Sequence, residues 1–118
     1  MATPNIVNVA TINAKNAAGA ITTSRAAAVD VPAEKVAKIN TILIANIDGT
    51  NAADVTIEVS IDNGSNYFAI AKTISVPADA TLSFLENPIY LDETDLLAVT
   101  ASANSDLTYF VSYEEITD

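Results

Sequence analysis

The chain has 118 residues and a mass of 12.3 kDa, which suits one domain built around one hydrophobic core. It contains no cysteine and no histidine, which excludes disulfide frameworks, zinc fingers, thiol nucleophiles and imidazole bases. Its net charge of −10 argues against direct binding to nucleic acid or to an anionic membrane surface.

The N-terminal region, residues 1–18, has the weakest periodicity, and we expect it to form an extended arm ahead of a domain at 19–118. Its start, MATPNIVNVATINAK, lacks the charged and apolar regions of a signal peptide, so we expect none. Alanine-rich stretches at 14–20 and 26–28 suit a helix by propensity, but Gly19 and β-branched neighbours favour extended chain. Removal of residues 1–18 is expected to leave the fold intact and to weaken attachment to a partner.

The first clear strand candidates lie between residues 21 and 61. Residues 21–31 and 36–47 both favour strands, and the second is apolar on both faces. In 54–61, DVTIEVSI, polar and apolar residues alternate, which is typical of a strand with one buried and one wet face. Asn63-Gly64 then offers the positive-φ pair of a hairpin, whose returning strand is 67–74.

Four further segments complete the predicted fold. Residues 80–86 lie between two Pro-containing breaks, and 89–91 resemble a short edge strand. Residues 95–103 and 107–116 are predicted to form a second hairpin around Asn104-Ser105-Asp106. About seven or eight short strands at this spacing predict an all-β fold, an antiparallel two-sheet β-sandwich of the jelly-roll or immunoglobulin-like type.

Carboxylates are the main candidates for a chemical site. Asp54, Glu58 and Asp62 share one side of a strand, but neighbours lie about 13 Å apart at ~3.3 Å per residue, too far to share one ion. The acid-rich stretch LDETD, 91–95, could take a cation weakly, although a turn is the simpler interpretation. No metal or other cofactor is expected, and without a histidine no hydrolase triad can be formed. The sequence leaves a carboxylate pair for glycoside hydrolysis open, but such sites usually lie in clefts lined with aromatic residues, and the chain has no tryptophan. We therefore expect a protein that is not an enzyme.

The aromatic side chains favour packing over ligand binding. Tyr109, Phe110 and Tyr113, together with Tyr90, are predicted to pack in the core and at the sheet margin. Stacking of these rings on sugars is the alternative.

Several strands carry more apolar residues than one core can cover. In 36–47, 67–74 and 95–101 both faces are apolar, which is unfavourable in water unless another subunit covers one of them. We therefore expect a homo-oligomer, a dimer or a trimer, or attachment to a larger assembly. The candidate interface residues come from the arm and from strand 36–47: Ile6, Val7, Val9, Ile12, Ile42 and Ile44.

A family resemblance covers about residues 29–116. VPA at 31–33 precedes a strand that ends in IAN at 44–46; a hairpin with a loop rich in Ser, Asn and Tyr and a second VPA at 76–78 follow. LDETDLLAVTAS then stands where Leu-x-x-Gly-Asp is usual, and SYEEI at 112–116 closes the domain. In these features the chain resembles small β-sandwich virion proteins of tailed bacteriophages. Thr94 departs from the pattern, because a glycine is typical there.

The resemblance implies a virion structural role without a cofactor. Within that class, a small chain without an obvious filament or receptor-binding repeat favours a capsid decoration or cement protein at the capsid surface. We expect it to be made in the host cytoplasm and to bind the major capsid protein or another virion protein. A tail or head–tail neck component is the alternative within the class. A carbohydrate-binding or adhesin-type sandwich module is the alternative outside it.

Overall fold

The structure is a computed structural model that describes residues 11–117. In this range there are nine strands and no helix, and the strands form two antiparallel sheets, which confirms the predicted all-β sandwich. The strands are β1 (Thr11–Ile21), β2 (Ala26–Asp30), β3 (Lys35–Asn46), β4 (Ala53–Ser60), β5 (Phe68–Val76), β6 (Thr81–Ser83), β7 (Ile89–Leu91), β8 (Leu96–Ala101) and β9 (Leu107–Thr117).

The two sheets have different sizes and a fixed strand order. The five-stranded sheet has the order β1-β9-β3, with the short strands β6 and β7 both pairing with β3 at its far edge. The four-stranded sheet has the order β2-β8-β4-β5. The connections β1–β2, β2–β3, β3–β4, β5–β6, β7–β8 and β8–β9 all cross from one sheet to the other. The two sheets are therefore joined by many connections along the chain, as in a β-sandwich.

The hairpin predicted around Asn63-Gly64 is confirmed. β4 and β5 pair antiparallel, and Asn63 and Gly64 adopt φ angles of 55° and 90°. Asp62 stabilises this loop by accepting hydrogen bonds from the Ser60 hydroxyl and from the backbone N–H and side-chain amide of Asn66. Local turn chemistry therefore sets this part of the fold.

The second predicted hairpin is wrong. β8 lies between β2 and β4 in the four-stranded sheet, whereas β9 lies between β1 and β3 in the other sheet. The chain between Ala101 and Leu107 therefore crosses the sandwich instead of turning back within a sheet. The Ile47 N–H donates to the Asp106 carbonyl at 2.8 Å, which ties this crossing to the end of β3.

The start of the domain lies earlier than predicted. Residues 11–18 belong to β1, which pairs with β9 along its whole length. Thr11 stands opposite Thr117 at one end and Ile21 opposite Leu107 at the other. This part of the expected arm is therefore an edge strand of the five-stranded sheet. The rest of the arm, residues 1–10, lies outside the described residues.

A β-bulge explains why β3 is apolar on both faces in the sequence. Its register against β9 shifts between Ile39 and Thr41, so that two residues of β3 stand opposite one residue of β9. Before the shift the odd-numbered residues of β3 point inward, and after it the even-numbered residues do. Ile39, Ile42 and Ile44 therefore all point into the core and have no exposed surface. Most of the residues that form a second apolar face in the sequence pattern of β3 therefore lie in the same core.

The core fills the space between the sheets, and within residues 11–117 every buried side-chain nitrogen or oxygen atom has a hydrogen-bond partner. Its fully buried large side chains come from both sheets: Ile21, Val31, Ile39, Ile42, Ile44, Val55, Ile57, Val76, Leu97, Val99, Leu107 and Val111. Asn46, in the IAN segment, is also buried, and its side-chain amide donates to the Asn51 and Val76 carbonyls at 2.9 Å each. Asn46 thereby joins the ends of β3 and β5.

Thr94 occupies a position that suits glycine. Its φ is 64°, in the left-handed region that a β-branched residue adopts at a cost of about 1–2 kcal/mol. Its N–H donates to the Val31 carbonyl at 2.8 Å, which holds the turn against the β2–β3 connection. The departure from the virion-protein pattern therefore changes the residue but keeps a glycine-type turn.

Candidate assembly surfaces

Negative charge is unevenly distributed along the chain. All 15 acidic residues lie at or after Asp30, and residues 1–29 contain none. β1 carries one charged side chain, that of Lys15. In a protein of net charge −10, β1 is thus a strand without a carboxylate of its own.

The outer face of the five-stranded sheet is nearly free of charge. Side chains alternate across a strand, so the residues between the inward ones on β1, β9, β3 and β7 form this face. We call it the acid-poor face; it consists of Ile12, Ala14, Asn16, Ala18, Ala20, Lys38, Thr41, Leu43, Ala45, Tyr90, Thr108, Phe110, Ser112 and Glu114. Its single carboxylate, on Glu114, stands opposite Lys38 in the register.

Large apolar side chains are exposed on this face. Phe110, between Ala18 and Leu43 in the register, is 42% exposed, and Tyr90 and Ile12 are more than half exposed. Exposed apolar side chains grouped on one face are typical of an interaction site. The acid-poor face is therefore the first candidate for docking on a partner.

The predicted interface residues separate into three groups. Ile12 is 56% exposed on the acid-poor face. Ile42 and Ile44 are corrected to core residues, because the bulge in β3 turns both inward and leaves them inaccessible to a partner. Ile6, Val7 and Val9 lie outside the described residues and stay a prediction.

A second exposed apolar group lies on β5, the edge of the four-stranded sheet. Phe68, Ile70 and Ile74 are all exposed there. The strand is irregular, because its register against β4 shifts twice and Thr73 has a φ of 48°. Bulges and a charged residue such as Lys72 protect an edge strand from pairing with another chain. β5 thus offers apolar contact but a poor template for a further strand.

The edge formed by β1 is regular, in contrast to that of β5. It pairs with β9 over eleven residues without a register shift. Within residues 11–117 it has no other sheet neighbour. Eight of its eleven residues are exposed, and six of these eight are Thr, Asn or Ala. The sequence pattern missed this edge, and the signal that could have indicated it was the absence of acids before Asp30.

Three charged side chains meet on the inner side of β1, β9 and β3. Glu115 is buried, and its carboxylate lies 3.1 Å from Lys35 Nζ and 3.7 Å from Lys15 Nζ. The two ammonium groups compensate the buried charge. Lys15 is therefore already used within the subunit and ties β1 to its neighbours.

The carboxylates of Asp54, Glu58 and Asp62 do not form one site. Glu58 accepts two hydrogen bonds from the Arg25 guanidinium, at 2.9 and 3.2 Å, and that group stacks on the Tyr67 ring at 3.9 Å. Hydrogen bonds from Asn66 and Ser60 lower the pKa of Asp62. Both groups therefore hold loops and strands in place.

The acidic stretch 91–95 forms a turn held by its own carboxylates. The Asp95 side chain accepts from the Asp92 N–H at 2.9 Å, and Glu93 accepts from the Glu34 N–H at 2.7 Å. Asp95 is buried, and this burial raises the pKa of its carboxyl; the negative charge of Asp92 adds to the rise, and the hydrogen bond from the Asp92 N–H opposes it.

We expect Asp95→Asn to stabilise the protein at neutral pH. The raised pKa means that burial disfavours the ionised form, so wild-type stability rises as the pH falls through the folded-state pKa toward the ordinary value of ~3.9. The amide keeps an oxygen for the Asp92 N–H. The variant should exceed wild type in urea unfolding near about pH 7 and match it near about pH 3. Asp30→Asn, at an exposed carboxylate, is the control, and an advantage that persists at the acidic pH would contradict this account.

The aromatic residues lie partly where packing predicts them. Tyr109 and Tyr113 pack against the core cluster, and Gly19 makes room for the Tyr109 ring, because a Cβ there would lie 3.1 Å from its hydroxyl. Tyr90 and Phe110 are the exposed members. They lie on the flat acid-poor face, which suits contact with another protein surface.

Two further features were sought within the described part of the chain. Residues 11–117 contain no group of three or more acidic side chains placed to hold a metal ion. The same residues include no helix with the length and hydropathy to cross a membrane.

The fold is similar to that of two solved structures at low sequence identity. One is a chain of the acid-stable capsid of the Helicobacter pylori bacteriophage KHP30, with a TM-score of 0.56, 9% identity, and coverage of 92% of this chain and 90% of that one. The other comes from Bacillus endospore appendages, described as disulfide-linked pili, with a TM-score of 0.55, 16% identity, and coverage of 91% and 87%. No family model and no curated protein sequence matches the chain. The comparisons thus show a shared sandwich fold.

Proposed function

We propose that this chain is a non-enzymatic virion structural protein of a tailed phage. In this proposal it is a jelly-roll decoration or cement protein that binds the capsid surface as an oligomer, after synthesis in the host cytoplasm. Its partner is the major capsid protein or another virion protein. The acid-poor face is the surface that docks.

The single observation that carries the proposal is the contrast between this face and the rest of the molecule. Among the acidic residues in the described range 11–117, Glu114 alone lies on it, although it includes residues from four strands. Elsewhere the negative charge keeps the protein soluble and repels packaged DNA. A flat face with exposed Phe110, Tyr90 and Ile12 is suited to bury apolar area against a shell.

Two further observations support the virion assignment. The turn and strand motifs between residues 29 and 116 resemble small virion sandwiches of tailed phages. The fold is also similar to a chain in a phage capsid and to one in a pilus, both built from many protein copies. The 118 residues contain no cysteine, so disulfide links of the pilus kind cannot join them. This favours the capsid alternative.

Particles of the phage that encodes the chain provide the test. Quantitative mass spectrometry of purified heads should give a constant ratio of this chain to the major capsid protein. Phe110→Asp places a carboxylate in the centre of the acid-poor face and should reduce the bound copies at least tenfold. Ala27→Asp makes the same charge change at an exposed alanine of β2, away from that face, and should leave the ratio unchanged.

Three results would contradict the decoration role. One is recovery of the chain with separated tails instead of heads, which would assign it to the tail or neck. Another is saturable binding to host polysaccharide without association with particles, which would assign it to carbohydrate recognition. The third is equal occupancy by the Phe110→Asp and Ala27→Asp variants, which would remove the acid-poor face from the docking contact.

A further inference from the structure

Within residues 11–117, β1 has a sheet neighbour on one side only, and its other edge carries backbone groups that a further strand can pair with. In an antiparallel sheet every second residue of an edge strand directs its N–H and C=O away from its neighbour. β1 offers eleven residues of regular strand, whereas β6 and β7 have three each and β5 is bulged. β2, at the same side of the sandwich, has five residues and a register shift. Among the described strands, β1 is thus the longest regular edge.

Charge identifies the occupant of this edge. Two copies of a chain with net charge −10 repel each other across most of their surfaces, so they can approach closely only where carboxylates are missing. β1 has no acidic residue. β2, which lies beside β1 in the other sheet, presents exposed Ala26 and Ala27 before its single acid, Asp30. This side of the sandwich is therefore compatible with a second copy of itself.

The sequence of β1 is also compatible with itself in antiparallel register. With a two-fold axis at Asn16, Asn16 stands opposite Asn16, Lys15 opposite Ala17, and Ala14 opposite Ala18. Thr11, Ile12 and Asn13 stand opposite Ile21, Ala20 and Gly19. No like charges face each other, no two large side chains collide, and the paired amides of Asn16 can exchange hydrogen bonds. Such a contact is isologous and closed, as in two-fold symmetric dimers.

We propose that two copies of this chain form a dimer through antiparallel β1–β1 pairing, which joins their five-stranded sheets into one continuous ten-stranded sheet. The acid-poor faces of the two copies then lie side by side on the same surface. This inference rests on the proposed function and names the oligomer contact within it: the backbone edge of β1, whose outward side chains form one margin of the acid-poor face. Two linked docking faces bind more tightly than one.

The test is sedimentation equilibrium of the free protein between about 1 µM and 1 mM. The wild-type mass should rise from that of one 12.3 kDa chain to that of two chains. Ala14→Asp/Ala18→Asp places carboxylates opposite each other across the dimer and should keep the monomer mass over the whole range. Ala52→Asp/Ala69→Asp changes the charge equally, at exposed positions in the loop before β4 and on β5, the sheet edge opposite β2, and should dimerise like wild type. Thermal midpoints within a few degrees of wild type at the lowest concentration show that both variants fold.

A third variant tests the register. Ala14→Lys/Ala18→Asp places each new lysine opposite an aspartate of the other copy, and it should dimerise at least as tightly as wild type. A monomeric wild type, a dimeric Ala14→Asp/Ala18→Asp variant, or a monomeric Ala14→Lys/Ala18→Asp variant would each overturn the proposal. No particle is present in these measurements. Failure of the capsid role therefore leaves this result unaffected, and failure of dimerisation leaves the occupancy test of Phe110→Asp unaffected.

Discussion

Removal of residues 1–18 is expected to cost the fold a large share of its stability. The truncation deletes residues 11–18 of β1, so that β9 becomes an edge strand over that length. It also removes Lys15 from the buried Glu115 carboxylate, which then keeps Lys35 alone. Small domains have total stabilities of about 5–15 kcal/mol, and the loss of most of a strand should remove several kcal/mol of it. This reverses the expectation from sequence that the fold would stay intact.

Urea unfolding of the truncated chain measures this effect. Removal of residues 1–10 alone is the matched control, because it retains the whole of β1. We expect a cooperative transition near the wild-type midpoint for the shorter truncation, and a much lower midpoint or no transition for the longer one. Equal midpoints for the two truncations would show that β1 contributes little to the sandwich.

A pair of isoleucine substitutions separates the core from the surface. Ile42 is fully buried, and Ile42→Ala should cost about 2–5 kcal/mol, because it removes apolar contacts and leaves a cavity. Ile12 is 56% exposed, and Ile12→Ala should change the free energy of unfolding by no more than about 0.5 kcal/mol. The chemical change is the same in both variants, so the difference reports burial alone.

Thermal and urea unfolding of both variants should agree. The Ile42→Ala midpoint is expected to fall by about 10–20 °C, and the Ile12→Ala midpoint by about 2 °C or less. These measurements use a concentration at which the chain is monomeric, so that any contact between copies does not contribute. Similar losses in the two variants would mean that Ile42 is not part of a packed interior.

The elements predicted correctly from sequence depend on local chemistry. The β4–β5 hairpin follows from clean alternation in 54–61 and from a glycine and an asparagine that both accept positive φ. These signals lie within the segments that pair. No knowledge of distant parts of the chain is needed to place them.

The elements predicted wrongly depend on partners far away in sequence. β1 has small residues on both sides, such as Ala17 and Ala18, so hydropathy does not show its alternation; its pairing with β9 makes it a strand. The bulge near Asn40 changes which side of β3 faces inward, and this is why Ile42 and Ile44 were assigned to an interface. The chain does bend at 104–106, but β8 and β9 on either side of this bend join different sheets. Their pairing with β4 and with β1 and β3 decides this.

The candidate surfaces were harder to predict than the fold. The predicted assembly rests on an excess of apolar residues, but part of that excess lies in the core, because the bulge in β3 turns Ile42 and Ile44 inward. The face and the edge that are suited to partners are marked less by hydrophobicity than by missing carboxylates. That property becomes visible only after the register brings Ala18, Phe110 and Leu43 side by side.

The most direct test of the assembly account is hydrogen exchange of the backbone amides, compared between dilute protein and protein at a concentration where it associates. Pairing along β1 predicts slower exchange in peptides from residues 11–21 and unchanged exchange in peptides from β5, residues 68–76. Slower exchange confined to residues 68–76, with none gained in 11–21, would show that copies meet at the other sheet and would contradict the account.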